Sequence, residues 1–215
     1  MAETLINTNQ IDGSIGGAKA LNIAVVGNPT ISDDFIVSGF SQNDYLVYPQ
    51  PSPRTYSVGI TGSRATWKVK MKFRFTQLVS GGNSITDSPV DQDHFRFGLN
   101  SSHKLQFLVA ANGWINAGGD SDYQTDVEYT TMNEWWWIEA GYDSDGHLYI
   151  NRSLDGENFT NVWKNNNVYD VSSFDWRYYP QVIGFSSSTY LEFDLKEFKF
   201  YSGDILTYSA VKDAE

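Results

Sequence analysis

The stretch WWWIEAGYDSDGHLYINRSLD, residues 135–155, decides how this chain folds. Read with period two, Trp136, Ile138, Ala140 and Tyr142 fall on one side, and Trp135, Trp137, Glu139 and Gly141 on the other. Asp143-Ser144-Asp145-Gly146 supplies a reversal, because Asp and Gly tolerate the positive φ angles of a hairpin turn. The return strand sets Leu148 and Ile150 against Tyr149 and Asn151. Large rings on both faces place this hairpin centrally in a sheet. One face belongs in the core, and the other must be covered or meet a partner.

Outward from the hairpin the same period recurs. In WKVKMKFRF, Trp67, Val69, Met71, Phe73 and Phe75 share one face; Lys68, Lys70, Lys72 and Arg74 share the other. That polar face reads as a solvated exterior or as a cationic stripe for an acidic partner, such as the surface of a neighbouring copy. Further strands are expected at residues 20–27, 33–40, 45–49, 94–99, 104–110, 123–130, 159–164, 190–203 and 204–211. Pro49, Pro51 and Pro53 mark an extended loop. No window of some 12 residues shows a helical period. About a dozen short strands between turns make a two-sheet sandwich, and 215 residues fit one such domain. Residues 1–17 form a polar arm with scattered Leu5, Ile6, Ile11 and Ile15, either a frayed terminus or a segment that orders on a partner; the domain proper spans 18–215.

Composition removes several function classes. A net charge of −11 opposes binding of nucleic acid through its phosphates and of anionic membrane surfaces. No apolar run of about 18 residues is present, so no membrane insertion is expected. The segment MAETLINTNQ lacks the basic flank and apolar stretch of a secretory signal. With no Cys there are no disulfides and no thiolate chemistry. A protein made in a cytoplasm and released by lysis fits these features, and so does an ordinary cytosolic protein.

The spacing of Trp135, Ile138, Ala140 and Tyr142, the Asp-Gly turn and the returning LYIN resemble the central hairpin of laminin-G-like and concanavalin A-like jelly rolls. FDLKEFKFYSGDIL, residues 193–206, resembles their closing strand. Ser153-Leu154-Asp155-Gly156 followed by Phe159-Thr160 is similar to a turn common in phage versions of the domain. LINTNQI and VSGFSQNDYLVYP look like the beginning of small phage virion proteins that carry it. The resemblance covers roughly residues 1–208 and implies an all-β, two-sheet antiparallel jelly-roll sandwich, one sheet concave, with ligands on that face or its rim. Such domains often bind glycans and some bind calcium, while others serve in assembly or decoration.

Glu192, Asp194 and Glu197 form E-x-D-x-x-E, which resembles the catalytic motif of laminarinase-type glycoside hydrolases. Strict alternation separates Glu197 from the other two. A β-bulge at Leu195–Glu197 would bring it back, as the parity change from Leu191, Phe193 and Leu195 to Phe198 and Phe200 suggests. About 18 residues follow the motif here, whereas a large part of the sandwich follows it in those enzymes. A solvated acidic edge is the simpler reading, and no catalytic residue is assigned. His94, His103 and His147 have no metal-ligand spacing, and no cofactor is assigned. Asp87, Asp91, Asp93 and His94 in one loop, and Asp120 with Asp122 in another, are the places where calcium would find oxygen ligands.

Glycan binding has better physical support. Sugar C–H faces stack on Trp and Tyr, and hydroxyls need planar hydrogen-bonding groups beside them. The candidates are Trp114 in its NGW loop, Trp176 and Tyr178 with Tyr179 in FDWRYYP, Trp137 beside Glu139, Tyr149 and Asn151 across the hairpin, and Arg96 with Arg177 for hydroxyls or uronates. Loop or core packing is the rival reading for each ring.

The sequence therefore reads as a phage virion accessory, decoration or fibre-associated protein. Its arm would hold other virion proteins, and its lectin-like domain would meet host-surface or mucosal glycans or pack as decoration, with oligomers open. A free-standing lectin is the alternative, and a hydrolase using Glu192 and Glu197 a weaker one.

Overall fold

The computed structural model describes residues 4–5, 21–22, 24–34, 36–47, 66–78, 83–87, 95–109, 124–166, 182–184, 192–202 and 205–210. Its strands are β1 (Thr4–Leu5), β2 (Leu21–Asn22), β3 (Ala24–Val26), β4 (Thr30–Ile31), β5 (Val37–Ser38) and β6 (Tyr45–Val47). Then come β7 (Trp67–Phe75), β8 (Asn83–Asp87), β9 (Phe95–Leu99), β10 (Lys104–Val109), β11 (Gln124–Glu128) and β12 (Trp136–Tyr142). The remainder are β13 (Leu148–Ser153), β14 (Thr160–Lys164), β15 (Val182–Ile183), β16 (Phe193–Ser202) and β17 (Ile205–Ala210).

They form two sheets. One has the order β1-β3-β6-β15-β8-β9-β10-β11. The other runs β14-β13-β12-β7-β16-β17-β2, with β5 beside β16 and β4 beside β5. All pairings are antiparallel apart from β17 with β2. Within the arm, Thr4 and Leu5 pair with Val25 and Ala24, so β1 forms an outer edge of the eight-stranded sheet.

The hairpin sits where its rings required. β12 lies between β13 and β7 in the nine-stranded sheet, away from either edge. Trp136, Ile138, Ala140 and Tyr142 are buried, as are Leu148 and Ile150 of the return strand. Asp143 builds the turn by accepting the amides of Asp145 (3.0 Å) and His147 (2.9 Å) on its Oδ1, while Gly146 takes φ +90°. Along β7 burial alternates without a break, all five apolar residues inward and all four cations outward.

Aromatic contacts join the two layers. Trp67 of β7 meets Phe107 of β10 edge-on at 5.7 Å, and Phe73 meets Phe97 of β9 edge-on at 6.0 Å. Each such pair adds about 0.5–1.5 kcal/mol to the burial of its area. The buried Tyr129 fixes the approach to β12: its hydroxyl accepts the Phe75 amide at 3.2 Å and donates to the Glu134 carbonyl at 2.5 Å. Burial pushes that hydroxyl's pKa up.

The closing strand carries the bulge read from its parity. Leu195 opposes Phe73 and Glu197 opposes Lys72, leaving Lys196 as the extra residue. Phe193, Leu195, Phe198 and Phe200 consequently all enter the core. Asp194 and Glu197 share the outer face, where the register sets them opposite Arg74 and Lys72.

Candidate functional site

The strand registers lay the outer face of the nine-stranded sheet out in rows. Nearest the hairpin turn, Tyr201, Lys68, Gly141, Tyr149 and Lys164 stand side by side on β16, β7, β12, β13 and β14. The next row is Lys199, Lys70, Glu139, Asn151 and Asn161. The third is Glu197, Lys72, Trp137 and Ser153.

At the middle of the first row Gly141 has no side chain, and the backbone of β7 occupies that space. A Cβ there would come within 2.3 Å of the Trp67 carbonyl oxygen and 2.9 Å of the Lys68 Cα, so the close approach of β7 requires glycine. A cleft of about 500 Å³ opens at this end of the sheet, lined by Lys68, Asp143, Tyr149, Asn151, Asn161 and Lys164 among others. Lys164 pairs with Asp143 at 2.7 Å. Burial raises the Asp143 pKa, but Lys164 and the turn amides outweigh it and hold the carboxyl below its ordinary value.

Glu139 organises the second row. Its Oε1 accepts from Asn151 Nδ2 at 3.1 Å and, more distantly, from the Tyr149 hydroxyl at 3.4 Å. Its Oε2 faces Lys70 at 3.3 Å and Lys68 at 3.9 Å. Asn161 Nδ2 donates to Asn151 Oδ1 at 2.9 Å, extending the network to β14. Burial, then the nearby Glu139 charge, raises the Tyr149 pKa, so the phenol is a neutral donor throughout the physiological range. Surface ion pairs of this kind contribute little stability. Their effect is to hold an aromatic ring, two amides and two ammonium groups in fixed positions.

The third row is covered. Asp155 accepts from Ser153 Oγ (2.7 Å), the amides of Glu157 (2.9 Å) and Asn158 (2.8 Å), and Asn158 Nδ2 (2.7 Å). These bonds hold its carboxyl well below the usual carboxylate range. They also shape the loop so that Gly156, at φ +84°, lies against the Trp137 indole, where a Cβ would be 2.8 Å from Cε2. Lys72 Nζ stands 4.6 Å from the centre of the same ring.

The structure thus brings Tyr149 and Asn151 together in one cleft. It sets Trp137 on the same face but beneath its own chain. Arg96 lies elsewhere, on β9 in the other sheet, with the parity opposite to the core residues Phe97 and Leu99. Trp114, Trp176, Arg177, Tyr178 and Tyr179 lie outside the described residues, as do Asp91, Asp93, His94, Asp120 and Asp122. Among the described residues no group of three His, Asp or Glu side chains could hold a metal. Of the catalytic-motif residues, Asp194 accepts from Arg74 Nε at 2.7 Å and Glu197 pairs with Lys199 at 3.1 Å. Glu192, Asp194 and Glu197 are not among the residues lining the cleft. Sequence reasoning missed Asn161 and Lys164, whose place depends on a register shift between Ile150 and Asn151.

In sequence the chain matches no protein-family model and no curated protein. In backbone it is similar to the botulinum neurotoxin serotype C1 binding domain, with 14% identity, TM-score 0.59, and coverage of 94% of this chain and 49% of that one. The fold is a two-sheet antiparallel jelly roll. A structure of botulinum neurotoxin type C, which depends on two ganglioside molecules for entering cells, gives 12% identity, TM-score 0.57, and coverage of 95% and 48%. A Trypanosoma rangeli sialidase in complex with 2,3-difluoro-KDN gives 11% identity, TM-score 0.58, and coverage of 90% and 30%. The jelly roll therefore spans about half the length of the toxin chains it matches.

Proposed function

We propose that this chain is a lectin-like glycan-binding domain whose ligand lies on the outer face of the nine-stranded sheet, seated in the cleft beside Gly141. One observation carries the reading: one cleft gathers Tyr149, Asn151, Asn161, Lys68 and Lys164. A sugar needs an aromatic face for its C–H bonds and convergent planar donors and acceptors for its hydroxyls, held in advance of binding. The ganglioside dependence of the type C toxin adds support for this ligand class.

Binding is a better reading than hydrolysis. A retaining hydrolase needs two carboxyl groups about 5 Å apart flanking the scissile bond. Here Glu197 is engaged by Lys199, and neither Glu192 nor Glu197 lines the cleft. A broad glycan array tests the reading directly. Wild-type protein is expected to bind a defined subset, and Tyr149→Ala and Asn151→Ala to lose that binding while keeping the fold. Absence of binding across the array would reject it.

The virion setting belongs to the same proposal. Its support is the resemblance of residues 5–11 and 37–49 to phage virion proteins, with β1 at a sheet edge where another chain can reach it. Particles would carry the full chain and lose it when residues 1–17 are deleted; a free-standing lectin would be indifferent to the deletion.

A further inference from the structure

The charged groups that line the cleft at Tyr149 already have partners. Lys164 Nζ lies 2.7 Å from Asp143 Oδ2. Lys68 Nζ stands between Glu139 Oε2, at 3.9 Å, and the Tyr201 ring, whose centre is 5.5 Å away. Asp143 uses its other oxygen on the amides of Asp145 and His147. The two ammonium groups are thus matched by two carboxylates.

The amides are fixed as well. Asn161 Nδ2 points at Asn151 Oδ1 (2.9 Å), the Trp163 carbonyl (3.1 Å) and, more distantly, the Ile150 carbonyl (3.3 Å). Acceptors gathered on the nitrogen side settle which way this amide faces. Its Oδ1 accepts from no described residue, and Asn161 is an exposed member of the cleft lining. Asn151 differs: its oxygen is taken by Asn161 and its nitrogen by Glu139 at 3.1 Å.

Lys164 belongs to the first row and Asn161 to the second. Rows two residues apart along a strand are separated by about 7 Å, within the span of one pyranose ring and its hydroxyls. A hydroxyl both donates and accepts. It can give its proton to Asn161 Oδ1, or take one of the ammonium hydrogens that Lys164 does not direct at Asp143. A carboxylate only accepts, so it has nothing to give Asn161. To reach Lys164 it must also approach Asp143 Oδ2, and two carboxylates so placed repel. The field of a chain carrying −11 adds to that repulsion.

We infer that the cleft takes a neutral sugar, one hydroxyl donating to Asn161 Oδ1 and another accepting from Lys164 Nζ, while Asp143 excludes acidic sugars. This rests on the glycan-binding reading and deepens it by naming the ligand class and the residues that set it.

The test is NMR titration of the labelled full chain with two pairs of probes that differ only at C6. One pair is methyl β-galactoside and methyl β-galacturonide, the other methyl β-glucoside and methyl β-glucuronide. The neutral member of at least one pair should shift the Tyr149 and Asn161 signals saturably and bind at least about tenfold tighter than its acidic counterpart. That advantage should narrow as salt is raised. Asn161→Leu, at an exposed position, should weaken neutral binding about tenfold. Asp143→Asn keeps an oxygen for the turn amides but releases Lys164, so the advantage over the acidic member should disappear. If Asp143→Asn fails to fold, the wild-type ratio and Asn161→Leu decide the matter. Acidic members that bind as tightly as the neutral ones in both pairs, or neutral binding unchanged by Asn161→Leu, would overturn the inference and leave the glycan reading intact. If none of the four binds, the glycan array decides. Hits confined to neutral glycans would support the inference, hits on acidic glycans alone or on both alike would overturn it, and a blank array would overturn both readings.

Discussion

At one end of the β12–β13 hairpin the outer face is closed, and at the other it is open. Trp137 and Tyr149 both project from that face, on the same alternation and in the same strand pair. Over Trp137 the loop tied by Asp155 brings Gly156 into contact with the indole. Beside Tyr149 the facing position is Gly141, and a cleft opens. Each end depends on a glycine. Gly156 lets backbone approach a ring and close it off, while Gly141 lets the backbone of β7 pack close against β12 next to the cleft. The larger ring is thus not the better binding platform; accessibility is decided by what the chain does after the strand ends.

This contrast can be broken at either end. Gly141→Ala should have the largest effect, because its Cβ would meet the backbone of Trp67 and Lys68, which cannot rotate away. Overpacking of this kind costs about 1–3 kcal/mol, read as a lower urea midpoint with unchanged slope. An unchanged midpoint would show that the close approach of β7 and β12 does not determine the cleft. Gly156→Ala should cost less, about 1–2 kcal/mol, since it strains a positive φ and pushes against a side chain that can shift. It should leave glycan binding at Tyr149 unaltered; loss of binding would mean that the two ends are coupled.

The smallest expected effect is an acid one. The Asp155 carboxyl titrates below its ordinary value in the folded chain because of bonds to Asn158, Glu157 and Ser153. A depressed folded pKa contributes stability that is complete above the unfolded value, about 3.9, and is lost as pH falls through the folded one. Amide exchange at Gly156 and Glu157 should therefore quicken as pH is lowered below about 4, after correction for intrinsic exchange. Asp155→Asn should quicken it at neutral pH and remove the acid dependence. The Tyr149 end should loosen in the same direction, because the Asp143 carboxyl that ties its turn is also held below the ordinary value.

The sequence made the scaffold legible for a physical reason: where one face of a strand is buried, alternation is enforced at every residue. The faces of β7 and β12 follow from that, and so does the bulge at Leu195–Glu197, since a change of apolar parity within one strand has few other solutions. The site was legible only in part. That Tyr149 and Asn151 share a face could be read because they lie on the hairpin itself. Asn161 and Lys164 were not, because their positions depend on how β14 registers against β13 across an irregularity. Arg96 was grouped with them on chemistry alone, and sheet order puts it on the other layer. The Ser153-Leu154-Asp155-Gly156 turn was read as a family mark, while its physical role, covering Trp137, required knowing what lies beneath Gly156.

The central claim is that the open end of the hairpin, and not its tryptophan end, binds sugar. Titration of the isotopically labelled chain with a glycan chosen from the array, followed by amide and side-chain NMR shifts, tests it most directly. The account predicts saturable shifts at Tyr149, Asn151, Asn161 and Lys164, with Gly156 and Glu157 unmoved. Shifts centred on Trp137 and Gly156, or on Arg96 and the other sheet, would contradict it.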